Sequence, residues 1–358
     1  MMHRSLFILF VLLLPAQLVA QEEFDVLVWS DECDGSGAID TEKWHHQTQL
    51  PNGSSWYNNE IQHYTNREEN AYLEDGAMYI MAQKETFTDQ GVTKEYTSAR
   101  LNSKFAFTYG RVEVRAKLPI GVGTWPAIWM LGKNINEPGG YWQPDFGNVG
   151  WPACGEVDIM EHWGTNQNYV SSAMHTPSSY GGTVNVGGTT LNDVSNTFHV
   201  YALEWTEEKM EFSADGTVYY TYDPAVKDAS TWPFDADQYM LLNVAILPNI
   251  AANFTESPMV IDYVRIYQSS PTGYRESNPD QGVRLYPNPS QEKPTLRVPT
   301  EYIGGSVNLR TMDGRTVHSS SLNSAMEVVD TSSLSPGMYL VDVRSLDGAT
   351  MALRMMVQ

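Results

Sequence analysis

Gly155-Glu156-Val157-Asp158-Ile159-Met160-Glu161-His162-Trp163 places three carboxylates within six residues of an otherwise apolar run. Side chains of a strand alternate between faces, so Glu156 and Asp158 share one side while Val157 and Ile159 point into a core. On an unbroken strand Glu161 falls on the core side. One extra residue, placed most simply at Met160, makes a β-bulge that returns Glu161, and then Trp163, to the face of the first two acids. The run does not read as an exposed acidic edge, because Val157, Ile159 and Trp163 ask for burial on both faces. Three converging carboxyls beside a tryptophan serve no core. They are the groups that general acid, general base and nucleophilic work on an acetal requires.

Outward from this stretch, residues 24–268 carry almost only β signals. Short alternating runs are punctuated by Asp75-Gly76 and Asp215-Gly216, pairs that favour tight hairpins. From Arg111 to Leu118 the alternation is strict: Val112, Val114, Ala116 and Leu118 face inward, and Arg111, Glu113, Arg115 and Lys117 outward. In Thr124-Trp125-Pro126-Ala127-Ile128-Trp129-Met130-Leu131 the two tryptophans share a face, opposite Ile128 and Met130. Such rings on an open sheet face offer flat apolar platforms to the C–H faces of sugars. No long amphipathic helix is evident. Many short strands over this length predict an all-β fold, a two-sheet β-sandwich.

The bulged Glu-x-Asp-x-x-Glu pattern resembles the signature of glycoside hydrolase family 16, in its laminarinase-like branch. Trp29-Ser30-Asp31-Glu32, Asn58-Asn59-Glu60-Ile61-Gln62, the 124–131 segment and Ile261-Asp262-Tyr263-Val264-Arg265-Ile266-Tyr267 extend the resemblance over about 240 residues. It implies a jelly roll and a retaining endo-β-1,3-glucanase, with agarose, carrageenan or mixed-linkage glucan as alternative polymers and an inactive glucan-binding protein as the alternative class. By resemblance Glu156 is the nucleophile, Glu161 the acid/base, and Asp158 the residue that hydrogen-bonds Glu156. Sugar binding is implied for Asn58, Glu60, Arg100, Trp125, Trp129, Trp163 and Asn243, and His175 is implied beside the acid/base. No cofactor is expected for catalysis. A structural calcium ion is implied at Asp262, with Glu32 and Gly76 contributing main-chain carbonyls, a donor set of hard oxygens. One departure stands out: Asn243-Val244-Ala245-Ile246-Leu247-Pro248-Asn249-Ile250 lacks the family's Gly-Gly-Asn-Trp-like loop, so a subsite wall there should differ.

The two ends of the chain read differently. Residues 1–20 have the form of a cleaved secretory signal: His3 and Arg4, an apolar stretch from Leu6 to Leu14, and a cleavage site after Ala20. Residues 269–281 are rich in Ser, Pro, Gly and Asn and read as a linker. From 282 to 358 tryptophan disappears, Leu285-Tyr286-Pro287-Asn288-Pro289 opens a Ser/Val/Leu-rich segment, and Asp313-Gly314 and Asp347-Gly348 suggest hairpins. This predicts a small Ig-like β-sandwich. It resembles the C-terminal sorting domains of the type IX secretion system, although Arg354 is the lone base in 352–358 where that family carries lysine. The alternative, an accessory carbohydrate-binding module, is disfavoured by the missing tryptophan. Secretion or surface display is expected, with the type IX export machinery as partner.

With Lys+Arg 22 against Asp+Glu 43, the net charge is −21. This argues against nucleic acid, anionic membranes and heavily sulfated polymers as partners, and favours a soluble monomer. Cys33 and Cys154 are the two cysteines, and their pairing is left open by sequence. Cys154, two residues before Glu156, has no His/Asn arrangement that would make it a nucleophile.

Overall fold

Val112, Val114 and Ala116 on the strand Gly110–Lys117 are fully buried, and the intervening Arg111, Glu113, Arg115 and Lys117 are not. The same alternation recurs on Glu256–Gln268, where Met259, Ile261, Val264 and Ile266 face inward. In this computed structural model the described residues are 24–269 and 283–357, without 287, 289, 291–292, 312–314, 333 and 346–349. The expected signal, residues 270–281 of the expected linker, and the Asp313-Gly314 and Asp347-Gly348 pairs lie outside them.

The chain divides into two units, 1–268 and 269–358. In the first, an 11-stranded sheet runs in the order Thr217–Tyr222, Met210–Ala214, His199–Trp205, Gly110–Lys117, Glu256–Gln268, Ala77–Asp89, Ala71–Glu74, Gly37–Ala38, with three further strands off this path. A 7-stranded sheet runs Val186–Thr190, Tyr169–His175, Glu156–Glu161, Thr124–Gly132, Gln238–Ile246, Arg100–Phe107, Trp44–His46. One continuous core takes Val112, Val114, Ile261 and Val264 from the first sheet and Ile128, Met130, Val157, Ile159, Leu242 and Val244 from the second. Each such side chain contributes about 1.5–3 kcal/mol on burial, against the conformational entropy that ordering costs. The core consumes one face of the 7-stranded sheet and leaves the other for chemistry. This is the expected jelly-roll sandwich.

Trp29-Ser30-Asp31-Glu32 has a packing role. Asp31 Oδ2 accepts the indole N–H of the buried Trp44 at 2.7 Å, and Trp29 meets Trp44 edge-on at 5.5 Å. Among the described residues, helix is confined to Gln143–Phe146 and a 3₁₀ turn, Thr300–Tyr302. The second unit has two small sheets of three and four strands around its own core of Val283, Leu296, Leu309, Val341, Val343 and Met355. It is the small β domain that the change of composition after the linker predicts.

Candidate active site

The central strand Glu156–Glu161 lies between Thr124–Gly132 and Tyr169–His175. Against Thr124–Gly132, Ile128 pairs with Met160 and Trp129 with Asp158, so Ile159 is the residue without a partner. Against Tyr169–His175, Asp158 opposes Ala173 and Glu161 opposes Ser171, which sets Ile159 and Met160 together against Ser172. The expected bulge is present, but its extra residue is Ile159 where Met160 was expected. Both side chains turn into the core, at 1% and 0% exposure. The Ser172 hydroxyl donates to the Ile159 carbonyl at 2.8 Å and so satisfies a backbone acceptor in the bulge. Two consecutive inward side chains bring Glu161 round to the side of Glu156 and Asp158. Gly155, immediately before, holds φ at +77° against the Phe234 ring, a backbone conformation and a close approach that favour glycine.

The three acids open into a cleft of about 300 Å³ also lined by Tyr57, Asn58, Glu60, Arg100, Trp125, Trp129, Glu137, Trp151 and Asn243. Trp125 donates its indole N–H to Glu161 Oε1 at 3.0 Å, and Trp151 donates to Glu156 Oε2 at 2.9 Å. Trp129 donates to Asn243 Oδ1 at 2.7 Å, and Asn243 in turn reaches the Tyr64 hydroxyl at 3.1 Å. Tyr64 and Gln62 both donate to Glu60 Oε2, at 2.8 and 2.7 Å. Arg100 lies 4.8 Å from the Trp129 ring centroid and pairs with both oxygens of Glu137 at 2.8 and 2.9 Å.

Burial first, and then the charge of Asp158, raises Glu156 well above the usual carboxylate range; His175 and the Trp151 N–H oppose that rise. Burial pushes Asp158 up to about 8, and burial followed by the charge of Asp158 pushes Glu161 up to about 8. A cluster of this kind retains protons at neutral pH, and a general acid needs one. His175 Nε2 lies 3.1 Å from Asp158 Oδ2 and 3.5 Å from Glu156 Oε1. The histidine therefore stands close to both Glu156 and Asp158, and its charge also bears on Glu161.

Among the implied sugar-binding residues, Asn58, Glu60, Arg100, Trp125, Trp129 and Asn243 line the cleft. Trp163 does not; it stacks on Trp125 with centroids 5.7 Å apart. Tyr57, Glu137 and Trp151 were not anticipated. Trp151 carried a signal, an aromatic five residues before an acid on the same strand entry. Glu137 carried none, because only the fold sets it against Arg100. The 247–250 segment that replaces the family's glycine loop is a tight turn, Ile250 N–H to Leu247 O at 3.0 Å, tied to the 120–124 loop by Leu247 N–H to Gly123 O at 2.9 Å.

Glu156, Asp158 and His175 form the one group among the described residues in which three ligand-type atoms lie within 4.8 Å of one another. At the implied calcium site the fit is partial. Asp262 occupies a register shift between Ile261 and Tyr263, and its Oδ2 is bonded by Arg115 at 2.6 Å. The Glu32 carboxylate is held by Arg265 at 2.6 Å, so Glu32, like Gly76, would offer only a carbonyl. The cysteines are both free and buried. Burial pushes the Cys154 thiol up to about 12, which removes it as a nucleophile.

A family model described as glycosyl hydrolases family 16 matches residues 58–265. The chain belongs to this family. It is a glycoside hydrolase, and a second model, a secretion system C-terminal sorting domain, matches residues 284–358. Over 294 residues the hydrolase is 38% identical to a β-glucanase of Rhodothermus marinus, an alignment that covers 75% of this chain and 95% of the relative. A crystal structure of LamA from Zobellia galactanivorans in complex with laminaritriose and laminaritetraose superposes with a TM-score of 0.64 at 48% identity, covering 69% of this chain and 100% of that one. The laminarinase of Rhodothermus marinus superposes with a TM-score of 0.61 at 37% identity, over 68% and 98% of the two chains.

Proposed function

We propose that the enzyme is a secreted endo-β-1,3-glucanase that cleaves laminarin-type glucans with retention of configuration. The observation that carries this reading is the bulge, which sets Glu156, Asp158 and Glu161 on one face of a tryptophan-walled cleft. The similarity to a laminarinase and to LamA supports the choice of polymer.

Glu161, kept protonated by burial, gives its proton to the glycosidic oxygen as the C1–O bond breaks. Glu156, ionised at the moment of attack with its anion supported by His175 and the Trp151 donor against burial and the charge of Asp158, attacks C1 and forms a glycosyl ester. Glu161, now ionised, removes a proton from water; the water oxygen attacks C1, the ester breaks, and both carboxyls return to their starting states. Asp158 and His175 orient Glu156. Arg100 is the one basic residue lining the cleft among the described residues, and its charge is matched by Glu137. That lining suits a neutral glucan over a sulfated one. The sorting domain is read by export machinery and supports release or display outside the cell.

Reducing-sugar release from laminarin, lichenan, agarose and carrageenan, with proton NMR of the first product, tests the proposal. Laminarin should be cleaved fastest, the β-anomer should appear first, and Glu156→Gln should abolish turnover. An initial α-anomer would mean an inverting pair, and an inert response to laminarin would overturn the polymer. A calcium ion at Asp262 is a separate proposal, supported by the register shift there. Chelation should lower the melting temperature and leave the rate at 25 °C unchanged, since Asp262 is on the sheet opposite the acids. An unchanged melting temperature overturns it.

A further inference from the structure

Two neighbours of Glu156, Trp151 and His175, are each met by a single loop, residues 176–185, which lies outside the cleft lining. Tyr180, 54% exposed, meets the Trp151 indole edge-on, with centroids 5.3 Å apart and planes at 83°. Trp151, itself 44% exposed, is the donor to Glu156 Oε2 at 2.9 Å. One residue on, the Gly181 N–H donates to His175 Nδ1 at 3.1 Å. Gly181 holds φ at +65°, in the left-handed region, with open space where a Cβ would stand. With Nδ1 accepting, the proton of the neutral ring sits on Nε2, the atom 3.1 Å from Asp158 and 3.5 Å from Glu156. The Trp151 and His175 rings also contact each other, with centroids 5.9 Å apart.

We propose that the 176–185 loop is a positioning device for the nucleophile: Tyr180 braces the Trp151 indole on Glu156 Oε2, and the Gly181 N–H fixes the His175 tautomer that faces Glu156 Oε1 and Asp158. Trp151 and Tyr180 are thereby positioning residues, acting through Glu156. The proposal rests on Glu156 being the nucleophile. The charged and titratable groups around Glu156 are Asp158 and Glu161 on its own strand, His175 on one neighbouring strand, Tyr239 from the strand Gln238–Ile246, and Cys154 on the approach. Among these the loop controls only His175, and it controls Trp151 besides.

The test uses the full chain and a 2-deoxy-2-fluoro laminari-oligosaccharide with a dinitrophenolate leaving group. Its C1–O bond breaks, dinitrophenolate departs with the electron pair, and C1 bonds to the nucleophile without acid catalysis. Mass spectrometry locates the label and the rate of inactivation reports how well the nucleophile is aimed. In the parent the label should sit on Glu156. Tyr180→Ala and Trp151→Phe should label Glu156 about tenfold more slowly, with kcat on laminarin falling and KM little changed. Loss of the indole donor should move the acid limb of kcat/KM upward by about half to one pH unit, because the anion of Glu156 loses a hydrogen bond. Tyr180→Phe, which keeps the ring, should restore the parent labelling rate. Both positions are well exposed, so the variants should fold, and unchanged melting temperatures check it. Parent-like labelling and an unshifted acid limb in Tyr180→Ala and Trp151→Phe would overturn the loop's role, as would a rise in KM alone. A label found elsewhere in the parent would instead overturn the assignment of Glu156 and the proposal with it.

Discussion

Glu161 illustrates how one residue's environment can suit it to the acid role proposed for it. Its carboxyl has a single indole donor, from Trp125, and burial with the nearby Asp158 lifts it from 4.5 to about 8. A carboxyl raised in the folded state is favoured there in its neutral form. The stability linked to it is therefore fully present below pH 4.5 and is lost as pH rises through about 8. Glu161→Gln cannot ionise and should escape that loss. Thermal melts should show the variant above the parent by about 2–8 °C at pH 8.5, and close to it at pH 5. An equal difference at both pH values would contradict a buried, proton-retaining acid. Parent kcat should decline over the same alkaline range, as the acid loses the proton it must donate.

At the scale of the element, the bulge decides where Glu161 points. Deleting Met160 would leave Glu156-Val157-Asp158-Ile159-Glu161, a plain alternation that still turns all three acids to the cleft. The strand would lose one buried side chain, and Glu161 would sit one residue nearer to Glu156. A misplacement on this scale should lower kcat on laminarin by about 10²-fold or more, with circular dichroism still reporting a folded β protein. Parent-like turnover in the deletion variant would show that the bulge has no part in setting the carboxyl geometry. The 133–155 segment makes the complementary case. It has little regular structure, yet it delivers Glu137 to Arg100 and Trp151 to Glu156.

For the whole molecule, the two largest hydrophobic cores are separate in sequence. The larger takes residues from Cys33 to Ile266, and the smaller from Val283 to Val357. Every cleft residue belongs to the first unit. A chain of residues 21–268 should therefore fold alone, with specific activity on laminarin equal to that of the full chain and a melting temperature within about 2 °C of it. Assay and calorimetry of the purified fragment decide this. Strongly weakened binding of the fragment to insoluble β-1,3-glucan would show that the second unit binds sugar, against its match to a sorting domain.

Periodicity, composition and motif spacing by themselves determined the sandwich, the inward faces of 111–118 and 124–131, and the trio Glu156, Asp158 and Glu161. These are local properties: a side chain's face follows from its neighbours along the strand. Only the tertiary structure decided that Ile159 is the extra residue of the bulge, because that depends on the partners Ile128, Trp129 and Ser172 in two other strands. Tertiary structure alone likewise matched Arg100 to Glu137 across 37 positions, placed His175 against Glu156 and Asp158, and stacked Trp163 on Trp125. It also left Cys33 and Cys154 as separate buried thiols. Each of these is a contact between segments distant in sequence, created when burying the two sheets' apolar faces brings their strands into register, and no pattern within a single segment encodes it.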